Sequence, residues 1–364
     1  MANNSEFFRQ RFTTYIDGQN KGYNFRSMNN SGTKVFAIFK APFAADITAL
    51  SVVSTSLTGT SPYYKMSVQG VTATANGGRP DGSIKESGTC VTAGTQLTAN
   101  SYHSLSVGAA YSVTAGEWLS IVFEYADDGS TIDGSNYIKV VYGTTLYSNN
   151  PFSGYMTDGV TWVDYTNKYP ALVAVTDNAN FDMGGMQLYN RTKDYGVGDT
   201  GDRHCMKIVW PGTAPSTYIS GFTHGGIVLS PWASGTDWKY GIWNAAGAEL
   251  VSGTYDMEYA AVHDYTGTQT FPFATSYKFE AGETYYIGFE NTGVALTPEW
   301  LDVKNANALR SWPGKQHYFG SLWDGSSWTD HTDFKPCINL LLDDMEGGGG
   351  GGGSTTGATM GVIG

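Results

Sequence analysis

The feature that most constrains this chain is that it repeats itself. VTAGEWLSIVFEY at 113–125 is answered by FEAGETYYIGFEN at 279–291, and YMTDGVTWVDYTNKYPALV at 155–173 by GSLWDGSSWTDHTDFKPCI at 320–338. Ala115 and Ala281, Glu124 and Glu290, Asp158 and Asp324, Trp162 and Trp328, and Pro170 and Pro336 are all separated by 166 positions. Upstream the match loosens: FAIFKAP at 36–42 resembles MKIVWP at 206–211, and YKMSV at 64–68 resembles WKYGI at 238–242. There the offset drifts to about 170–174, as expected when strands persist and loops change length. Whatever one half folds into, the other must be able to fold into as well.

Each half reads as strands. KVFAIFKA, ITALSVVS, YYKMSVQG, EWLSIVFEY, YIKVVYG and PALVAV are short and rich in β-branched or aromatic residues, and they often alternate apolar with polar. Between them lie Asp-Gly pairs at 81–82, 128–129, 133–134 and 158–159, a turn chemistry. No long helical period is present. The expected fold is all-β: two tandem homologous antiparallel β-sandwich domains, jelly-roll-like, spanning 34–175 and 204–342. Three segments fall outside them: an N-terminal docking arm (1–33), a linker (176–203) and a polyglycine tail (343–364).

The chain has 364 residues, 15% of them charged, with a net charge of −12. That acidity argues against a nucleic-acid partner, because a row of phosphates needs lysines and arginines to neutralise it. No apolar run reaches membrane-spanning length, so membrane insertion is not expected. The N-terminal MANNSEFFRQRFTTYIDGQ lacks the apolar stretch of a secretory signal. Yet high glycine (47), tyrosine (24) and tryptophan (10) are a surface-protein composition. A protein made in a cytoplasm and released by lysis reconciles the two. Three cysteines, Cys90, Cys205 and Cys337, are odd in number and have no metal-ligand spacing, so they read as buried thiols.

Motifs for catalysis are absent. The six histidines form no ligand cluster, and no nucleophile elbow, P-loop or dinucleotide fingerprint occurs. No enzymatic activity, cofactor or metal is expected. The nearest approach to a cation loop is ADDGSTIDGSN at 126–136, with Asp127, Asp128 and Asp133, but it lacks the order and the distal glutamate of a calcium loop and reads as a solvated hairpin. Glu117/Glu283 and Glu124/Glu290 recur in both halves, which favours a role in the fold over a catalytic pair.

The candidate binding residues are aromatic. DGVTW and DGSSW place Trp162 and Trp328 three residues after a turn glycine, either to stack a sugar or to fold back over the sandwich. The unrepeated Trp232, Trp238 and Trp243 in SPWASGTDWKYGIW are the further ligand candidates. For assembly the candidates are Phe7, Phe8, Arg9, Arg11 and Phe12 of the arm, where aromatics and arginines combine as they do at interfaces. At the other end, Gly347, Gly350 and Gly353 stand in a run of glycines that can pack closely, and Met360, Val362 and Ile363 form an apolar hook.

FKAP at 39–42, KMSV at 65–68, NSYHSL at 100–105 and VTAGEWLSIVFE at 113–124 resemble repeats in structural proteins of tailed bacteriophages, of the fibre, spike or decoration type. The pattern is similar also to carbohydrate-binding sandwich modules. The first resemblance implies a subunit on the virion exterior, assembled with itself as a trimer or higher oligomer and with other virion proteins, and with cell-surface glycan as a candidate partner. The second implies the alternative: a glycan-binding module or polysaccharide-degrading domain of a secreted enzyme system. Neither carries over a catalytic residue.

Overall fold

The computed structural model describes the chain from Asn24 to Met345, apart from residues 42, 75–76, 145–152, 165–167, 179–181, 184–189, 195–198, 211, 214–215, 226, 229–237, 256–267, 294–296, 303–317, 333 and 337. The assembly candidates Phe7, Phe8, Arg9, Arg11, Phe12, Gly347, Gly350, Gly353, Met360, Val362 and Ile363 lie outside the described residues.

The first half contributes β1 (Asn24–Met28), β2 (Lys34–Lys40), β3 (Ala45–Thr58), β4 (Tyr63–Thr74), β5 (Gly77–Ile84), β6 (Thr95–Gln96), β7 (Ser101–Val113), β8 (Trp118–Tyr125), β9 (Tyr137–Thr144), β10 (Ser153–Met156), β11 (Val163–Asp164), β12 (Lys168–Pro170) and β13 (Leu172–Thr176). The second contributes β14 (Asn190–Asp194), β15 (Arg203–Val209), β16 (Thr217–Gly225), β17 (Ile227–Val228), β18 (Trp238–Trp243), β19 (Glu249–Tyr255), β20 (Thr268–Phe279), β21 (Thr284–Glu290), β22 (Thr297–Asp302), β23 (Tyr318–Trp323), β24 (Trp328–His331), β25 (Phe334–Pro336) and β26 (Ile338–Met345). Among the described residues every ladder is antiparallel, and the only helical element is a single short turn at Glu86–Gly88.

The sheets form sandwiches, and the same strand order occurs twice. One sheet of the first half runs β11-β10-β2-β8-β4-β5. Its counterpart in the second runs β24-β23-β15-β21-β18-β19. In the facing sheets β3 pairs β7 and β13, as β16 pairs β20 and β26. β9 takes β1 and β12, as β22 takes β14 and β25. Each strand pairing among the described residues stays within its own half.

The pleat explains which residues lie inside. In β2, Val35, Ala37 and Phe39 face the core; in β8, Leu119, Ile121 and Phe123; in β4, Tyr64, Met66 and Val68. The second half repeats this with Met206 and Ile208 of β15, Tyr240 and Ile242 of β18, and Tyr285, Ile287 and Phe289 of β21. Buried apolar side chains from both halves group into one large cluster, with smaller ones on the outer faces of the two sheets. The Tyr64 hydroxyl lies inside, donating to Met28 O (2.9 Å) and accepting from Ile138 N (3.1 Å). Burial pushes its pKa up to about 12.

Three boundaries differ from the sequence expectation. Asn24–Met28 of the expected arm is a strand paired along β9, with Met28 fully buried. Asn190–Asp194 of the expected linker pairs β22. The last described strand runs on to Met345, held along β16. All three segments have too little periodicity of their own to announce a strand, and their partners supply it. Cys90 and Cys205 are buried and unpaired.

Candidate functional site

The outer faces of the two six-strand rows carry the side chains that the repeat preserves. On the first, Glu124 of β8 sits between Lys34 of β2 (2.5 Å) and Lys65 of β4 (3.9 Å). On the second, Glu290 of β21 sits between Arg203 of β15 (2.6 Å) and Lys239 of β18 (3.3 Å). The registers are equivalent: Glu124 lies opposite Lys34 and Lys65, and Glu290 opposite Arg203 and Lys239. Each glutamate therefore ties the middle strand to both neighbours. The second brace goes further, because Lys239 also pairs with Glu249. Burial opposes the charge on Lys239, but its contacts with the two glutamates outweigh this and raise its pKa. Glu249 is lowered, the contact with Lys239 outweighing burial.

The recurring AGE triplets dock the turn before β8 and β21. Ala41 N donates to Glu117 O (2.8 Å) and Gly116 N to Ala41 O (2.7 Å); Trp210 N donates to Glu283 O (2.8 Å) and Gly282 N to Trp210 O (3.0 Å). The Glu117 carboxylate additionally accepts from Lys85 Nζ (3.1 Å) and from the Tyr111 hydroxyl (2.5 Å).

The DG-x-x-W turns are built alike. Asp158 Oδ1 accepts from Val160 N and Thr161 N at 2.9 and 2.8 Å; Asp324 Oδ1 accepts from Ser326 N and Ser327 N at 2.9 and 2.7 Å. The backbone N–H of Ser327, with the hydroxyl and N–H of Ser326, holds the Asp324 carboxyl down to about 2. The N–H groups of Thr161 and Val160 lower Asp158 in the same direction. Gly159 and Gly325 follow at φ +75° and +86°, where a Cβ is strained. The chain then returns its tryptophan to the sheet. Trp162 meets Phe36 edge-on (4.8 Å), and Trp328 stacks flat on Tyr286 (3.8 Å, 11°). Trp162 and Trp328 thus fold back as packing residues, each only partly covered.

The other aromatic candidates divide. Trp243 is fully buried, packed with Cys205, Tyr286 and Trp328, so it corrects the expectation of a ligand platform: a ring with no exposed face cannot receive one. Trp238 lies in β18 but its side chain is outside the described residues, as is all of Trp232. The acidic loop is a pair of turns. Asp128 accepts from Ser130 N (3.1 Å) and Asp133 from Ser135 N (2.7 Å), while Asp127 adopts φ +55°. Asp127, Asp128 and Asp133 do not converge, and among the described residues no group of three or more His, Cys, Asp or Glu is placed to hold a metal.

One open cleft, of about 240 Å3, lies beside the β23–β24 hairpin in the second half. Leu322 and Trp323 of β23 line it together with Asp202, Asp324, Thr329 and His331, and Arg203 borders it. Arg203 is fixed from all sides. Its Nε donates to Glu290, its Nη1 donates to Gly247 O (2.7 Å), and its guanidinium lies 4.9 Å from the Trp243 ring and 5.3 Å from that of Trp323. Trp323 leans on Trp328 at 5.1 Å. Gly247, at φ +78°, lets the hairpin between β18 and β19 pass beneath it; a Cβ there would stand 2.4 Å from the indole.

Trp323 was not among the sequence candidates. The sequence repeat does not find it, because at an offset of 166 Trp323 falls opposite Thr157. Cross-strand register puts Trp323 opposite Arg203 and Met156 opposite Lys34, so an aromatic occupies in one half the place of a thioether in the other. Comparison of the chain with known protein families, with curated proteins and with solved structures finds no match.

Proposed function

We propose that this chain is a structural subunit of the exterior of a bacteriophage virion, of the fibre, spike or decoration type, assembled with itself and with other virion proteins. The observation that carries the reading is the duplicated brace. The recurring acidic side chains on both outer faces are tied into cross-strand ion pairs and turn caps, the work of a rigid scaffold rather than of proton transfer. Two sandwiches in tandem present two such plates along one chain, which suits a spacer or a coat. The parts of the arm and tail that lie beyond the paired strands β1 and β26, residues 1–23 and 346–364, are the proposed docking segments. Mass spectrometry and antibody labelling of purified particles test this: the protein is expected on the particle surface, and the purified chain is expected to be a trimer or higher. Absence from particles, or a monomer that cleaves polysaccharide, overturns it in favour of a domain of a secreted enzyme system.

A further inference from the structure

We propose that the outer edge of β26 receives an apolar strand, residues 358–362, from the tail of a second copy of this chain. This deepens the exterior-subunit reading by naming the contact that joins its copies, and it rests on that reading only for where the assembly sits.

The precedent lies in the first half. Ala174 of β13 and Met183 are joined by two backbone hydrogen bonds: Ala174 N donates to Met183 O (2.8 Å) and Met183 N to Ala174 O (2.9 Å). β13 is thus held by β3 on one edge and by Met183 on the other, and the Met183 side chain is buried in the core. Leu340 stands 166 positions after Ala174, and the registers agree: Ala174 lies opposite Leu50 on β3, and Leu340 opposite Phe222 on β16. The backbone N–H and C=O of Leu340 therefore turn away from β16, as those of Ala174 turn away from β3. Among the described residues β26 pairs with β16 alone. Such an edge is a template for another strand unless something blocks it. The opposite edge of this sheet, β20, contains Pro272, whereas β26 contains neither proline nor lysine, and its charges are confined to Asp343 and Asp344 near one end.

Pattern and length choose the occupant. As a strand, ATMGV at 358–362 puts Ala358, Met360 and Val362 on one face and Thr359 and Gly361 on the other. Directly opposed residues share a face, and Ile338 and Leu340 are both buried. Laid antiparallel with Met360 opposite Leu340, the segment therefore turns its apolar face to the core, and Met360 takes the role that Met183 has in the first half. No charged residue lies between Gly347 and Gly364, so this pairing buries no charge. Length then favours a neighbour. The return from Ala174 to Met183 takes nine positions, but Leu340 and Met360 are twenty apart, with the run Gly347–Gly353 between them. A tail that closed on its own strand has no use for the excess. The stretch from Met345 to Met360 spans about 50 Å when extended, a reach that crosses to another subunit.

The test is native mass spectrometry of the full chain, paired with amide hydrogen exchange at Leu340. A trimer or higher is expected, with the Leu340 amide protected. Met360→Asp and Val362→Asp should each release monomer and speed exchange at Leu340 at least about tenfold, while exchange in β2 and β8 stays slow and shows the sandwiches folded. Thr359→Asp, on the other face of the segment, should leave both readings unchanged. A Leu340 amide that exchanges freely in the full chain, an oligomer and a protection that neither Met360→Asp nor Val362→Asp moves, or an equal effect of Thr359→Asp overturns the assignment. So does a monomer whose Leu340 protection is lost in Met360→Asp, because the tail then closes on its own strand. If the protein is found on particles but these substitutions leave its oligomer intact, the edge assignment falls alone. If they release monomer but the protein is absent from particles, the virion reading falls alone.

Discussion

The two halves share a strand order and differ in what fills it. The first is mostly aliphatic inside: Ile47, Leu50, Val52, Ile121, Ile138 and Leu172 pack around the stacked pair Tyr64–Phe123 (5.2 Å). The second is aromatic: Phe222 meets Phe271 (5.1 Å) and Phe289 (5.5 Å), Trp210 meets Phe279 (5.3 Å), and Phe279 stacks on Tyr285 (3.8 Å). The outer faces diverge too. Phe36, Ile38 and Val122 form a plain apolar patch in the first half; Trp243, Tyr286, Trp323 and Trp328 alternate with Arg203 and Lys207 in the second. The lesson is that topology here depends on the strand pattern and the turns, while the identity of the packed side chains was free to move as long as the space was filled.

That comparison can be broken at several points. Phe222→Ala, at the hub of the aromatic core, should cost about 4 kcal/mol, against about 3 kcal/mol for Leu50→Ala in the aliphatic one, read from urea midpoints. Equal costs would mean the aromatic contacts add nothing beyond their area. The braces come next. Glu290→Ala removes the carboxylate partner of Arg203, a side chain only 14% exposed, and leaves Lys239 with Glu249 alone, and should cost about 2 kcal/mol. Glu124→Ala, flanked by lysines about one-third exposed, should cost about 1 kcal/mol or less.

The turn carboxylates sharpen a likeness instead. Asp324 ionises near 2 when folded, against 3.8 when unfolded, so its turn stabilises the fold fully above pH 3.8 and ceases to do so as pH falls towards 2. In acid unfolding, Asp324→Asn should flatten the curve in that window. Asp158→Asn should act in the same direction, since that carboxyl is also held below its ordinary value. The smallest effect expected is for Trp328→Phe. The indole N–H of Trp328 is buried with no acceptor among the described residues, so its loss removes an unmet donor while the stack on Tyr286 survives. A midpoint shift as large as that of Glu290→Ala would show that the N–H is bonded after all.

Much of the architecture can be read in the sequence because it is written twice. KVFAIFKA, ITALSVVS, YYKMSVQG, EWLSIVFEY, YIKVVYG and PALVAV all fall on strands, since β-branched and aromatic runs between Asp-Gly turns have few other options. β7 is harder to see. Its exposed positions Ser104, Ser106, Gly108, Ala110 and Ser112 are small, and it is held by pairing along β3 rather than by propensity. The site is less legible still. Trp162 and Trp328 are visible from their spacing, but whether an indole faces solvent or sheet depends on Phe36 and Tyr286, which lie more than forty positions away in sequence. Trp243 misleads for the same reason: nothing local shows that Cys205, Tyr286 and Trp328 close over it.

The doubled strand order carries a hazard during synthesis. A nascent first half has pairing positions that strands of the second half match in order and direction, and tandem units of one topology are prone to exchange such elements. The unlike interiors guard against it. Inserting β16, with Phe222, where β3 belongs would press an aromatic ring into a space shaped for Leu50 and Val52, and the reverse exchange would leave a void. The difference between the two interiors therefore works against a strand settling in the wrong half.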